Sequence, residues 1–113
     1  MPHIIIEYSR ALESRVDFPA LLGTLHETLA DQGIDVARIK TRGIALDHAV
    51  VGERGVEGSM VHGTLLLLEG RDVATKRRYG DALYNVMKTI LQTVPACAVT
   101  LEMRDMVKET YYL

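Results

Sequence analysis

A single cysteine, Cys97, excludes any internal disulfide, and a reduced, cytoplasmic setting is expected. The apolar runs are short: Ile4 to Ile6 and Leu65 to Leu68 both fall far below the length that spans a bilayer, so no membrane partner is expected. No basic segment followed by an apolar one opens the sequence, and no signal peptide is expected. Excess positive charge is also missing. Thirteen Lys and Arg stand against fifteen Asp and Glu, a formal net charge of −2, which argues against nucleic-acid binding by bulk electrostatics. Neither a G-x-G-x-x-G nor a Walker pattern occurs, leaving nucleotide binding without support. There is no G-x-S-x-G. The histidines His3, His26, His48 and His62 are scattered, none paired at zinc spacing, so neither metal nor cofactor is expected. Cys97 lies on an apolar strand edge and reads as an inert core thiol.

What is present is an ordinary globular composition, 48% hydrophobic and 25% charged over 113 residues, enough for one domain spanning 1–113 with a real core. Ile4 to Tyr8 reads as a buried strand, followed by a polar connection from Ser9 to Val16. Asp17 before Phe18-Pro19 marks a helix start, and Phe18, Leu21, Leu22, Leu25 and Leu29 form one apolar stripe that predicts a helix over Phe18 to Gln32. Gly33 suits the left-handed turn after it. From Ile34 to Val51, alternation of β-branched and charged residues predicts a strand in which Lys40 and Arg42 share a face, with Gly43 marking a bulge or bend. A loop over Gly52 to Ser59 leads to a strand over Met60 to Leu68, with Leu65 to Leu68 expected to be buried on both faces. A second helix is expected from Asp72 to Gln92, its apolar face made of Tyr79, Leu83, Val86, Met87, Ile90 and Leu91. Pro95 stops it, and Ala98 to Met106 alternates as a last strand.

The order β-α-β, repeated, divides the chain into halves of about 1–58 and 59–113. A crossover helix within each half favours parallel pairing of its two strands. The predicted class is α+β: a two-layer sandwich with a four-stranded sheet and both helices on one face. The other face would stay open, and a symmetric oligomer is expected to cover it.

The chemistry then centres on the first residues. Proline after the initiator methionine permits removal of Met1, which would leave Pro2 as a secondary amine at the start of a core strand. An unperturbed α-amine titrates at about 7.7–8.0. Although a secondary amine is more basic, apolar surroundings and nearby cations disfavour its protonated form, making Pro2 a candidate general base. Lys40, Arg42 and Arg71 are the candidate cations, and arginines suit substrates that are carboxylates or become enolates. Arg71 follows Gly70 at the C-terminal end of a strand and before a helix, the edge at which open α/β sheets bind ligands. Asp47-His48 reads more simply as a polar loop dipeptide than as a general-acid pair.

Several stretches together resemble the 5-carboxymethyl-2-hydroxymuconate isomerases of the tautomerase superfamily. They are Pro2-His3 with Ile5-Ile6-Glu7-Tyr8-Ser9, Asp17-Phe18-Pro19-Ala20-Leu21, Ile39-Lys40-Thr41-Arg42, Val61-His62-Gly63-Thr64-Leu65 and Gly70-Arg71. The resemblance covers nearly the whole chain with about one single-residue gap. It implies a tautomerase-like fold, a homotrimer, and catalysis by an amino-terminal proline without metal or cofactor. The family's reaction moves a proton between carbons of a dienol tricarboxylate during the breakdown of homoprotocatechuate, an aromatic compound, so a small carboxylate substrate is implied. By the same resemblance Pro2 matches the catalytic base and Arg71 a carboxylate-binding arginine. Lys40 stands where the family has a second arginine, and Arg42 matches a basic position. Lys40 lacks the planar fork of arginine, and the tail Glu109 to Leu113 is shorter than the family's. Two other readings stay open: a hydratase, dehalogenase or decarboxylase using a cationic Pro2, and a non-catalytic oligomeric binding domain.

Overall fold

The structure is a computed structural model and describes residues 2–113; Met1, on whose removal the amine of Pro2 depends, lies outside the described residues. The first strand, β1 (His3–Ser9), alternates half-buried and buried side chains, with Ile4, Ile6 and Tyr8 turned into the core. Between β1 and the first helix the chain is less polar in effect than its composition suggests. A 3₁₀ turn over Arg10–Ser14 tucks Leu12 inward, and Val16 is buried behind it.

Helix α1 (Phe18–Asp31) begins where the capping chemistry predicts. The Asp17 carboxylate accepts from the Ala20 N–H at 3.1 Å and Pro19 occupies the first turn. Phe18, Leu21, Leu25 and Leu29 are buried on the sheet, Leu22 is half-buried, and Gly33 takes a φ of +96° just beyond the helix. Helix α2 (Val73–Leu91) is capped likewise by Asp72, which accepts from the Thr75 N–H at 2.8 Å, and it buries Tyr79, Leu83, Met87 and Leu91.

The long strand expected over Ile34 to Val51 is replaced by a shorter one, β2 (Lys40–Leu46), preceded by a 3₁₀ turn over Val36–Arg38. The cause is Asp35, whose carboxylate accepts from the Ala37 N–H at 3.0 Å and closes the chain into a turn where alternation alone would have extended it. Nor is there a bulge at Gly43, because the β1–β2 register runs unbroken through the Ile6–Gly43 pair. Gly43 serves packing: a Cβ there would stand 3.2 Å from Leu22 Cδ1 and 3.4 Å from Tyr8 Cε1.

The remaining strands are β3 (Ser59–Leu68) and β4 (Cys97–Met106), and the sheet order is β2-β1-β3-β4. Each half contributes one parallel pair, β1 with β2 and β3 with β4, and the halves join through the antiparallel pair β1–β3. The architecture is the two-layer α+β sandwich. Of the four leucines expected to be buried on both faces, Leu65 and Leu67 are buried against the helices, while Leu66 and Leu68 are only half-buried. The register explains the difference: Leu66 pairs with His3 and faces away from the helices, as do Ile5 and Thr64 two pairs further on. No helix among the described residues is long and apolar enough to cross a membrane.

Candidate active site

The geometry that matters follows from strand register. Pro2 directly precedes β1 and falls in step with Ile4, Ile6 and Tyr8, so its ring turns toward the helix layer, where it is fully buried. Its carbonyl accepts from the Lys40 N–H at 3.0 Å, which latches the start of β1 to the start of β2. Because β3 runs antiparallel to β1, with His3 opposite Leu66, the end of β3 arrives beside Pro2. The turn Glu69-Gly70-Arg71 therefore lies at Pro2 although nearly seventy residues separate them in sequence.

That turn is fixed at both sides. The Glu69 N–H donates to the Met106 carbonyl at 3.0 Å, and the Glu69 carboxylate accepts from the Lys108 N–H at 2.7 Å. Gly70 has a φ of +120°, a backbone conformation that a residue with a Cβ rarely adopts. Half-buried Arg71 donates through Nη1 to the Leu68 carbonyl at 3.3 Å, and its guanidinium carbon lies 6.0 Å from the centroid of the Tyr79 ring. Tyr79, buried on α2, also carries Arg78 at 5.3 Å, so one ring orients two cations.

Pro2, Arg71 and Tyr79 line one cleft of 350 Å³ together with Arg38, Asp35, Gly33 and Leu68. The volume falls within the range of about 300–1,000 Å³ usual for small-molecule sites. Its charged side chains are two guanidiniums and one carboxylate, a setting suited to an anion. A larger cleft of 620 Å³ opens at the other end of the sheet, around Ser9, Leu46 and Ser59, and contains Asp47 and His48. There Asp47 is ion-paired with Arg10, whose hydrogen bonds and charge hold the Asp47 carboxyl below its ordinary range. β1 separates this cleft from Pro2 by roughly 20 Å. Size does not choose between the two; the balance of charge does, because Asp47 and Arg10 pair one to one in the larger cleft while the single Asp35 carboxylate, paired with Arg38, stands against two guanidiniums in the cleft of Pro2.

Of the residues singled out from sequence, the fold brings Pro2 and Arg71 together in one cleft. Lys40 and Arg42 do share a face, as alternation predicts, but it is the open face of the sheet, opposite the helices. Lys40 donates to the Arg38 carbonyl at 2.9 Å, and Arg42 donates to His3 Nδ1 at 3.0 Å. His3 is itself tied to the chain's end, its Nε2 lying 2.7 Å from the Tyr111 hydroxyl. His26 and His62 each spend a ring nitrogen on a threonine, Thr41 at 2.8 Å and Thr100 at 2.7 Å.

Sequence reasoning missed Arg38, Asp35 and Tyr79 as cleft residues. Tyr79 was absorbed by the apolar stripe of its helix. Arg38 was absorbed by the period-two alternation, which would have put it on the face of Lys40 and Arg42. The signal that could have recovered it is Asp35 two residues before Ala37, a turn-forming arrangement that interrupts the alternation.

Comparison with known proteins adds the following. A sequence model described as 5-carboxymethyl-2-hydroxymuconate isomerase matches residues 2–112. The chain is 31% identical over 90 residues to the 5-carboxymethyl-2-hydroxymuconate Delta-isomerase of Escherichia coli, covering 79% of this chain and 71% of that protein. Its fold is similar to the crystal structure of a 5-carboxymethyl-2-hydroxymuconate isomerase from Deinococcus radiodurans R1. The TM-score is 0.89 at 24% identity, over 99% of this chain and 87% of the other. A wild-type fused 4-OT symmetric trimer shares the fold at a TM-score of 0.71 and 17% identity, over 98% and 92% of the two chains.

Proposed function

The chain belongs to the 5-carboxymethyl-2-hydroxymuconate isomerase family and is an isomerase of the tautomerase superfamily; from that premise we propose that it moves a proton on a small unsaturated hydroxy- or oxo-carboxylate with Pro2 as general base. The observation that carries this reading is the cleft shared by Pro2 and Arg71. With Met1 removed, the Pro2 amine takes a proton from the enol hydroxyl or an activated carbon and returns one at another carbon. Burial of Pro2 and the charge of Arg71 disfavour the protonated amine, with the Asp35 carboxylate acting the other way, and the neutral amine is the form that accepts the proton. Arg71 holds a substrate carboxylate and stabilises the negative charge that develops as the proton leaves.

The working form in this proposal is a cytoplasmic homotrimer acting in aromatic-compound breakdown, on the homoprotocatechuate route of its family. The open sheet face supports assembly, as does the trimeric state of the fused 4-OT structure. On that face Lys40 and Arg42 stand at subunit boundaries, from which they add carboxylate-binding charge to an adjoining cleft.

The test is ketonisation of a carboxylate-bearing dienol by wild type and by Pro2→Ala, with removal of Met1 checked by intact mass. One positioned acid–base group contributes about 10²–10⁴ in rate, and a loss of that order is expected. Undiminished turnover in the variant, or a mature protein that keeps Met1 and is nevertheless active, sinks the proline mechanism.

A further inference from the structure

Tyr79 stands in the second turn of the helix that follows Arg71, the first buried residue of α2, and is only 6% exposed. The fold uses its ring. The ring fills the core stripe, and the guanidiniums of Arg71 and Arg78 lie 6.0 and 5.3 Å from its centroid. The fold does not use its hydroxyl. A phenylalanine would fill the same space and carry the same two cations, and a buried tyrosine hydroxyl as a rule has a hydrogen-bond partner. That of Tyr79 has none among the described residues. Nor is the oxygen sealed in the core, because among the described residues no fully buried side-chain oxygen or nitrogen lacks a partner. The hydroxyl therefore opens where the side chain meets the surface, on the cleft that it lines with Pro2 and Arg71. We propose that Tyr79 is a catalytic residue whose hydroxyl donates a hydrogen bond to the substrate oxygen on which negative charge develops. The proposal rests on the Pro2–Arg71 cleft being the reaction site.

When Pro2 takes its proton, an enol O–H or an activated C–H bond breaks and an N–H bond forms. The electron pair left behind makes a dienolate whose charge rests largely on one oxygen. Tyr79 keeps its own proton throughout and only shares it in the hydrogen bond. Return of the proton from Pro2 to another carbon forms the new C–H bond and leaves a neutral carbonyl. The two polar groups differ in what they suit: a phenol directs one donor at a single oxygen, whereas the fork of Arg71 matches the two oxygens of a carboxylate. Because the substrate oxygen gains charge on the way to the transition state, the bond from Tyr79 strengthens there, and its effect falls on kcat rather than on binding.

The experiment compares Tyr79→Phe and Tyr79→Leu with wild type, on the full protein, in ketonisation of a carboxylate-bearing dienol and in chemical denaturation. Tyr79→Phe keeps the ring and removes only a hydroxyl without a protein partner, so it should unfold at the wild-type denaturant concentration. It should keep KM within about twofold and lose kcat about 10²-fold, the lower end of the range for one oxyanion donor. Tyr79→Leu also removes the ring beside Arg71, and should add a higher KM for the carboxylate substrate to the same loss in kcat. A Tyr79→Phe enzyme with kcat within about threefold of wild type overturns the proposal. So does a loss carried only in KM, or one matched by a fall in stability, since either makes the hydroxyl part of ground-state binding or of the fold. The fate of the amine is read separately. A slow Tyr79→Phe beside a Pro2→Ala enzyme with full turnover keeps the donor and removes the base; the reverse pattern removes the donor and keeps the base.

Discussion

At His3 two neighbours decide where the single ring proton sits. Arg42 can only donate, so its 3.0 Å bond to Nδ1 makes that nitrogen the acceptor, and Nε2 carries the hydrogen that is donated to the Tyr111 hydroxyl. A neutral imidazole is thereby built into the fold. Burial first, then the positive charges of Arg42 and Lys40, push the His3 pKa below its ordinary 6.5. A folded-state value below the unfolded one means that the unfolded chain binds more protons in the interval between them, so stability is present above pH 6.5 and is lost as pH falls through the folded value. The wild-type advantage over His3→Gln in chemical denaturation should accordingly shrink between pH 7 and pH 5; a constant or growing advantage contradicts the assignment. Arg71 makes the second prediction at this scale. Arg71→Ala should raise KM for a carboxylate enol by about ten- to a hundredfold and leave an uncharged enol nearly unaffected, and equal losses on the two would count against its role. Both Pro2 and Arg71 could be singled out from the sequence, because a buried β-branched strand and a glycine-arginine turn each carry a local signal. The partnership of His3 with Tyr111 was invisible, since 108 residues separate them and nothing local marks either one.

Elements were legible wherever capping chemistry and hydrophobic period agreed. Asp17 and Asp72 start the helices as expected, and both apolar stripes face the sheet. Period failed where a turn overrode it: Asp35 bends Val36–Arg38 out of the strand, and this one departure moves Arg38 from the open face to the cleft. Strand alternation alone cannot report such a break, because every side chain keeps its place in the pattern while the backbone leaves it. The turn between β3 and α2 yields the element-scale prediction. With φ at +120°, Gly70 cannot accept a Cβ without strain, and Gly70→Ala should lower unfolding free energy by about 1–3 kcal/mol. Because the same turn aims Arg71, the variant should also lose affinity for a small carboxylate ligand. A fully stable Gly70→Ala protein would remove the argument that this turn stores the geometry of the site. Helix α1 offers the complementary case, where Asp17→Ala should cost about 1 kcal/mol through loss of the Ala20 N–H partner, read by the same denaturation.

For the molecule as a whole, the repeat was readable and its consequence was not. Two β-α-β halves follow from patterning, but only the antiparallel β1–β3 pairing explains why residues at the start of one strand and beyond the end of another meet. The same sheet leaves Ile5 and Leu66 half-buried and Ile44 exposed on the face away from the helices. Assembly through that face predicts a trimer in sedimentation equilibrium, and Leu66→Asp should shift it toward monomer, since a charge in an apolar interface is opposed by desolvation. An unchanged mass distribution would place the interface elsewhere. The central claim is that the Pro2 amine works as a base, and its proton state is the most direct reading of that claim. In protein labelled with ¹⁵N-proline and freed of Met1, the Pro2 nitrogen should titrate at or below the ordinary α-amine range of about 7.7–8.0, and kcat/KM should rise through the same pKa. A titration well above that range, with activity already full below it, would mean a cationic proline and would contradict the account.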